Sequence, residues 1–569
     1  MTATTYTIPG KSSITLTDQD FIGEGGEGRV YGRDNQVYKI YINSSKMIPA
    51  AKLDELKPLT GNPLIIAPLD PMLDTANKPV GYTMRWVRDA EPICKLFTNS
   101  FRKKANIENN SVAELINNLI ETIYFIHQNK CLIVDGNEFN FLVDSQSYTK
   151  PYCIDVDSYQ TPSFPATAIM PYVRDPLAGT FTTQSDWFTF AILACQLFVG
   201  IHPFKGKHPG YKKNDIEKRM RDHVSIFNKE TSLPKSARDF GHIPSLFHNW
   251  FIDLFEKGKR TPPPQSAGLL NVKAVATKLV NSTQKLEISS IKQFDRDIRD
   301  VMFFNNVRVV YTTNKIYIQN RDYDNQQDRR LIFSPKSFTP ITGATRDKRL
   351  KLETMAAEKQ CTKLQLAATK LLVTDNIFFT VHHNKLTEII FHELGSKIIS
   401  ATGCSWEILP NATRVFDNML ISNALGKTLV IIPKRSARGK TACLIKHIPE
   451  LDDYKILEAR HQNGVIMCNG HNRREYHRLL IRLDDKLNYD VKTIDNNNQL
   501  AVNFVTLDNG TVVTIIEDGL IELRKNTPGH QLVQRVKDPA ISTNMTLCTD
   551  THRVMFFEES KLYSLRLRQ

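Results

Sequence analysis

The chain has no Cys-x-x-Cys pair, although it holds nine cysteines, at positions 94, 131, 153, 195, 361, 404, 443, 468 and 548. That scatter excludes a zinc ribbon and a thiol redox motif, and an odd number without a framework suits a reducing cytosol. There is no long apolar run. The most apolar stretch, Trp187 to Val199, is shorter than the roughly 20 residues a membrane span needs, and it contains Gln196. It reads as a buried core helix. Met1 to Thr5 lacks the basic and apolar regions of a signal peptide, so a cytoplasmic location without membrane attachment is the expectation. Nor is there a long block of Lys and Arg, so the basic charge is expected to be a solvated surface rather than a nucleic-acid arm.

What is present is an ordinary globular composition, 41% hydrophobic and 24% charged over 569 residues. That length is too great for one core, and two or three domains are expected. The formal charge of +14 is uneven. Residues 1–284 carry 32 Lys+Arg and 28 Asp+Glu, a net of +4, which leaves +10 for the rest. An acidic partner, nucleic acid or anionic lipid would have to meet that C-terminal half.

The texture changes near residue 285. Residues 14–90 read as short strands and turns, with helical spacing from Lys46 to Leu59. Residues 111–129 form an amphipathic helix with Val112, Leu115, Ile116, Leu119, Ile120 and Ile123 on one face. Helices then dominate to about 282, with Leu269 to Leu279 as the last. Beyond 285, strand pairs recur every 40–65 residues, among them Ile377 to Val381, Val465 to Cys468 and Val554 to Phe557. No Trp-Asp signature accompanies them. The period fits four-stranded blades arranged radially, and a β-propeller of about six blades is expected, with a pair of β-sandwiches as the alternative. Residues 334–366, rich in lysine, read as a loop or an inserted helix.

Chemistry concentrates in the first half. Asp135 is followed by Asn140 and, fifteen positions after Asn140, by Asp155, with Asp157 close behind. Phosphoryl transfer from a nucleotide needs such a set: an acid for the hydroxyl proton, and an amide and a second acid to hold Mg²⁺. Upstream, Gly23, Gly25, Gly28 and Val30 form a Gly-rich turn between strands, not the strand–helix setting of a dinucleotide fingerprint. Glycines there let the backbone approach phosphates and adopt positive φ. Lys39, eleven residues after Gly28, sits in an apolar strand and needs an anion if it turns inward. Glu55 is the candidate.

These parts, in this order, resemble an atypical bacterial or phage Hanks-type serine/threonine protein kinase. The resemblance covers about 15–282 and is to the group with Asp-Val-Asp-Ser-(Phe/Tyr)-Gln at the metal-binding motif, here Asp155 to Gln160. It also takes in Asp186, opening the apolar helix, and Arg260, for which Asp175 is the partner acid. It implies an α+β bilobal kinase-like domain, with 1–90 as the N-lobe, 91–284 as the C-lobe and 285–569 as the all-β domain. It implies Asp135 as catalytic base, Lys39 on the phosphates, Asn140 and Asp155 as Mg²⁺ ligands, Asp157 as a further ligand, and ATP as cofactor. Adenine would be received at a hinge from Met84 to Val87 that includes Trp86, and Asp186 would cap the catalytic loop. Three departures stand out: Ile133 and Val134 replace His-Arg, Asn137 replaces a lysine, and Asp157 replaces a glycine. Without the arginine, switching by loop phosphorylation is not expected.

The expected activity is ATP- and Mg²⁺-dependent phosphorylation of protein Ser/Thr hydroxyls. The C-terminal domain would recruit a protein substrate or sense a ligand. The resemblance further implies bacterial signalling with a cognate phosphatase as partner. A nucleotide-binding pseudokinase scaffold and a nucleotidyl or small-molecule phosphotransferase are the alternatives.

Overall fold

The computed structural model describes residues 3–567 apart from 26, 167–169, 265–284, 305–306, 320, 326–328, 357, 436–439, 473–474, 485, 495–500, 528–529 and 551. The helix expected over 269–279 lies outside the described residues. The chain divides into two compact units, one of residues 2–16 and 25–279, the other of 280–569 together with 17–24.

In the first unit an antiparallel sheet runs in the order Gly28–Arg33, Gln36–Tyr41, Pro79–Arg85, Pro71–Leu73. The register sets Val30 opposite Lys39 and Lys39 opposite Tyr82. The helix expected from Lys46 to Leu59 is shorter, Ala50–Leu56. Pro49 precedes it and Pro58 follows, and proline cannot continue a helix past its first turn. From Asn99 on, helices take over. Asn109–Gln128 buries the apolar face read from its spacing. Thr183–Val199 is buried on nearly all sides, which explains why its sequence lacks an amphipathic stripe. Its start is capped by Thr182 and Ser185, and Gly200 ends it at φ 84°. A side chain at Gly200 would come within 2.7 Å of the Phe97 carbonyl, so glycine is needed there for space as well as for conformation. Among the described residues no helix is long and apolar enough to cross a membrane.

The second unit is all β. Among the described residues seven sheets follow one another, where about six blades were expected, antiparallel except that Gln360–Cys361 runs parallel to Lys397–Glu407. The additional one is Arg330–Phe333, Pro340–Arg346 and Arg349–Thr354, the last two strands within the stretch read as a loop or helix. Lys351 and Arg349 there alternate with the more buried Leu350 and Leu352, so a period of two was hidden by the lysines. The last sheet joins both ends of the unit, because Leu286–Gln293 pairs with Lys561–Leu567.

Each sheet shares an apolar core with the next. Val309 and Ile316 of the first pack with Leu331 and Phe333 of the second. The remaining steps follow through Ile341 with Phe378, Phe379 with Leu420, Ile432 with Ile466, Met467 with Phe504, and Val513 with Phe556. Met555 and Phe557 of the seventh sheet then pack with Val301 and Val310 of the first, which closes the series. Neighbours such as Phe378 and Phe379, or Ile466 and Met467, face opposite sheets. This is why the middle strands read as unbroken apolar runs. Asparagines tie successive sheets together. Asn418 donates to the His461 carbonyl at 2.6 Å and accepts from its amide at 3.1 Å. Asn376 does the same with Phe333, and Asn503 bridges Met545 and Leu547.

Candidate active site

A short hairpin brings the distant parts of the polar set together. Phe141–Asp144 and Pro151–Cys153 are antiparallel, with Phe141 opposite Cys153. Asn140 precedes one strand and Asp155 follows the other, so their fifteen-residue separation is the length of a hairpin. The Ile154 amide donates to the Asn140 carbonyl at 2.9 Å and pins the two ends side by side.

The loop before it is held from below. Asp186, buried on its helix, accepts from the Ile133 amide at 2.8 Å and the Val134 amide at 2.9 Å. Its second oxygen also meets His127 Nε2 at 2.9 Å. Val134 has φ 62°, a conformation a β-branched residue adopts only when its surroundings impose it. Asp135 follows at once and is buried. Asn137 Nδ2 donates to its Oδ2 at 2.9 Å, and the Met170 amide donates to its Oδ1 at 3.0 Å. Burial raises the Asp135 pKa against those hydrogen bonds. Asn140 Nδ2 donates to the Asp135 carbonyl at 2.8 Å, which leaves its Oδ1 as an acceptor.

Lys39 turns inward. Its Nζ lies 2.7 Å from Asp157 Oδ2 and 3.1 Å from Asp155 Oδ1. Tyr41, on the same strand face, donates to Asp157 Oδ2 at 2.7 Å. The rings of Tyr41 and Tyr82 flank the ammonium at 5.5 and 5.8 Å. Burial opposes the lysine's charge, but Asp157 and Asp155 outweigh it and raise its pKa. Burial also opposes the charge of Asp157, and Lys39 overcomes this and lowers its pKa. Asp155 goes the other way, raised by burial and by the neighbouring Asp157 against the pull of Lys39.

Glu55 does not join this cluster. Its Oε2 accepts from the Ser163 amide at 3.1 Å, and among the described residues the anions on Lys39 are Asp157 and Asp155. The pairing expected from helix position is corrected by the tertiary structure. Tyr41 and Tyr82 were missed, although Tyr41 lies two residues beyond Lys39 and so on its face of the strand. His127 and the Met170 amide carried no sequence signal.

In the Gly-rich turn only Gly28 is needed for space; a side chain at Gly23 would meet nothing within 4 Å, and one at Gly25 only the Gly28 carbonyl at 3.8 Å. Gly23, Gly25 and Gly28 are not among the glycines of positive φ; 26 lies outside the described residues. A side chain at Gly28 would meet the Ile40 carbonyl at 2.9 Å, because the paired strand runs so close. The Gly25 amide donates to the Gly28 carbonyl at 2.8 Å and tightens the turn. Met84 lies opposite Val37, one residue before its strand ends, and the Trp86 amide donates to the Asn35 carbonyl at 3.4 Å, with the Arg88 guanidinium over the Trp86 ring. Arg260 makes two hydrogen bonds to Asp175, Nε at 2.5 Å and Nη2 at 2.9 Å, the pairing expected from sequence.

The donor set suits a divalent cation. Asp155 keeps 42% of its side chain exposed, Asn140 offers Oδ1, and the buried Asp157 Oδ1 accepts no hydrogen bond. No group of three or more His, Cys, Asp or Glu is arranged as a metal site among the described residues. An Asp–Asn pair that also relies on phosphate oxygens would not form such a group. The rings of His382 and His383 meet edge to face at 4.2 Å, and His471 meets Tyr476 in the same way at 4.9 Å. No known family's model matches the chain, and no curated protein matches it.

Proposed function

We propose that residues 2–279 are a bilobal protein-kinase-like unit that transfers the γ-phosphoryl group of ATP to protein Ser/Thr hydroxyls. We read the second unit as a seven-bladed β-propeller that recruits the substrate or senses a ligand. The observation that carries the first reading is the convergence of Lys39, Asp135, Asn140 and Asp155. They come from three separate stretches of the chain and are locked by the hairpin register and by Asp186. The propeller reading is supported by seven sheets whose shared cores close in sequence order.

In this reading Asp135 accepts the hydroxyl proton as the substrate oxygen bonds to phosphorus and the bond to the ADP oxygen breaks. Its burial favours the modestly raised pKa of a general base. The Met170 amide now occupies Asp135 Oδ1, and the incoming hydroxyl takes its place. Lys39 steadies the phosphates. Asn140 Oδ1 and Asp155 would hold Mg²⁺, which neutralises phosphate charge when bound.

The test is intact-mass analysis of the purified chain after incubation with ATP and Mg²⁺. The wild type is expected to gain phosphoryl groups, and Lys39→Ala, Asp135→Ala and Asp155→Ala each to gain none. Full activity in Asp155→Ala with loss in Asp157→Ala would reverse the metal assignment. One observation favours a second reading, a nucleotide-binding scaffold: Lys39 already neutralises two carboxylates while Met170 covers Asp135. That reading predicts thermal stabilisation by ATP with no mass gain.

A further inference from the structure

We propose that Asp157, and not Glu55, is the positioning residue that holds Lys39 at the phosphate site. The cation is then set by the segment that carries Asp155 rather than by the helix Ala50–Leu56. This rests on the reading of Lys39 as a phosphate-binding group.

Two carboxylates approach the ammonium, and they are not equivalent. Asp157 is the nearer at 2.7 Å and keeps 4% of its side chain exposed; Asp155 lies at 3.1 Å and keeps 42%. A group that must bind a cation from solution needs solvent access, which Asp155 has. A group that must hold a buried lysine needs burial and a second donor, which Asp157 has in Tyr41. When Asp155 turns to a metal, Asp157 stays with Lys39.

The strand geometry selects the same residue. Lys39, Tyr41 and Tyr82 share one face of the sheet; the two tyrosine rings flank the ammonium, and Tyr41 donates to the same Asp157 oxygen that Lys39 meets. Glu55 is engaged with the Ser163 amide instead. This counter-ion depends on the side chain at position 157. A swing of the helix Ala50–Leu56 would therefore leave Lys39 in place. Displacement of residues 155–158 would release it.

The experiment is a set of melting curves on the full chain, with and without ATP and Mg²⁺, for Asp157→Asn, Asp157→Glu, Lys39→Met, Glu55→Gln, and the doubles Lys39→Met/Asp157→Asn and Lys39→Met/Glu55→Gln. Without nucleotide, Asp157→Asn is expected to melt several degrees lower, because it leaves the buried ammonium with the more exposed Asp155 as its carboxylate partner. Adding Lys39→Met should recover part of that loss. Glu55→Gln should add independently to Lys39→Met. With nucleotide, Asp157→Asn should lose the ATP-induced shift, and Asp157→Glu should restore some of it. Additive Lys39 and Asp157 effects, or coupling of Lys39 to Glu55, would overturn the proposal. So would an Asp157→Asn protein that melts lower yet keeps the whole nucleotide shift, which would make Asp157 merely structural. Coupling is read without nucleotide and phosphoryl transfer by mass. An inactive wild type with coupled Lys39 and Asp157 thus fails the catalytic reading alone.

Discussion

Asp186 holds Val134 in a left-handed backbone conformation: its carboxylate accepts from the Val134 amide at 2.9 Å, and Val134 has φ 62°. The bond crosses 52 positions and joins a buried helix to the loop that presents Asp135. Without it, a β-branched residue at that φ would return to the β or α region and swing Asp135 away.

Asp186→Ala should therefore cost both stability and activity. It leaves two buried backbone amides and His127 without their acceptor, a loss of about 3–5 kcal/mol. Denaturant unfolding checks the stability, and intact-mass analysis checks the phosphoryl gain. Asp186→Asn keeps one acceptor oxygen and should fall between the two. A full-strength Asp186→Ala protein would mean that the loop holds its shape by itself.

Acid should destabilise the protein before its carboxylates titrate. Burial pushes the His202 pKa down to about 3 and the His461 pKa down to about 4, from 6.5. Both are neutral in the folded state and protonate on unfolding. Their contribution is complete above pH 6.5 and is lost as pH falls below it. The slope is about 1.4 kcal/mol per pH unit for each group until its folded pKa is reached. His202 accepts from the Phe204 amide at 3.2 Å and lies 3.0 Å from the Tyr172 carbonyl, so His202→Gln should lower stability at neutral pH. It should also flatten the decline between pH 6.5 and 5 in urea titrations. An unchanged slope would show that His202 does not carry it.

The asparagine ties of the second unit should matter more than their exposure suggests. Asn418→Ala removes both hydrogen bonds to the His461 backbone and should cost about 1–3 kcal/mol. Asn503→Ala should do the same at Met545 and Leu547. Each is measured as a shift in the denaturant midpoint of the full chain. Asn418→Asp keeps the acceptor but turns a carboxylate oxygen towards the His461 carbonyl, and should cost at least as much as Asn418→Ala. Equal midpoints for wild type and Asn418→Ala would mean that the shared apolar cores alone set the register between sheets.

Much of the candidate site was legible because its determinants are local or pairwise and chemically distinctive. The helix Asn109–Gln128 follows from apolar spacing, and the Asp175–Arg260 pair from the order of the motifs. The partner of Lys39 was not legible. Glu55 is an acid on a nearby helix, which made it the natural candidate, but helix position does not reveal which way a short element turns. The number of sheets was hidden for a different reason. In Arg349–Thr354 the exposed positions are Arg349, Lys351 and Glu353, charged residues that mask an alternation with Leu350 and Leu352.

The amino-acid sequence alone determined the two-part organisation of the chain, the order of the polar groups and the fifteen-residue spacing from Asn140 to Asp155. Those depend on composition, period and spacing along a short stretch. Only the tertiary structure decided that Lys39 meets Asp157, 118 positions away, that Asp186 imposes the conformation of Val134, and that seven sheets close on one another. The physical reason is that a buried charge takes whichever partner the packed chain brings within about 3 Å, and that distance is set by contacts between elements far apart in sequence.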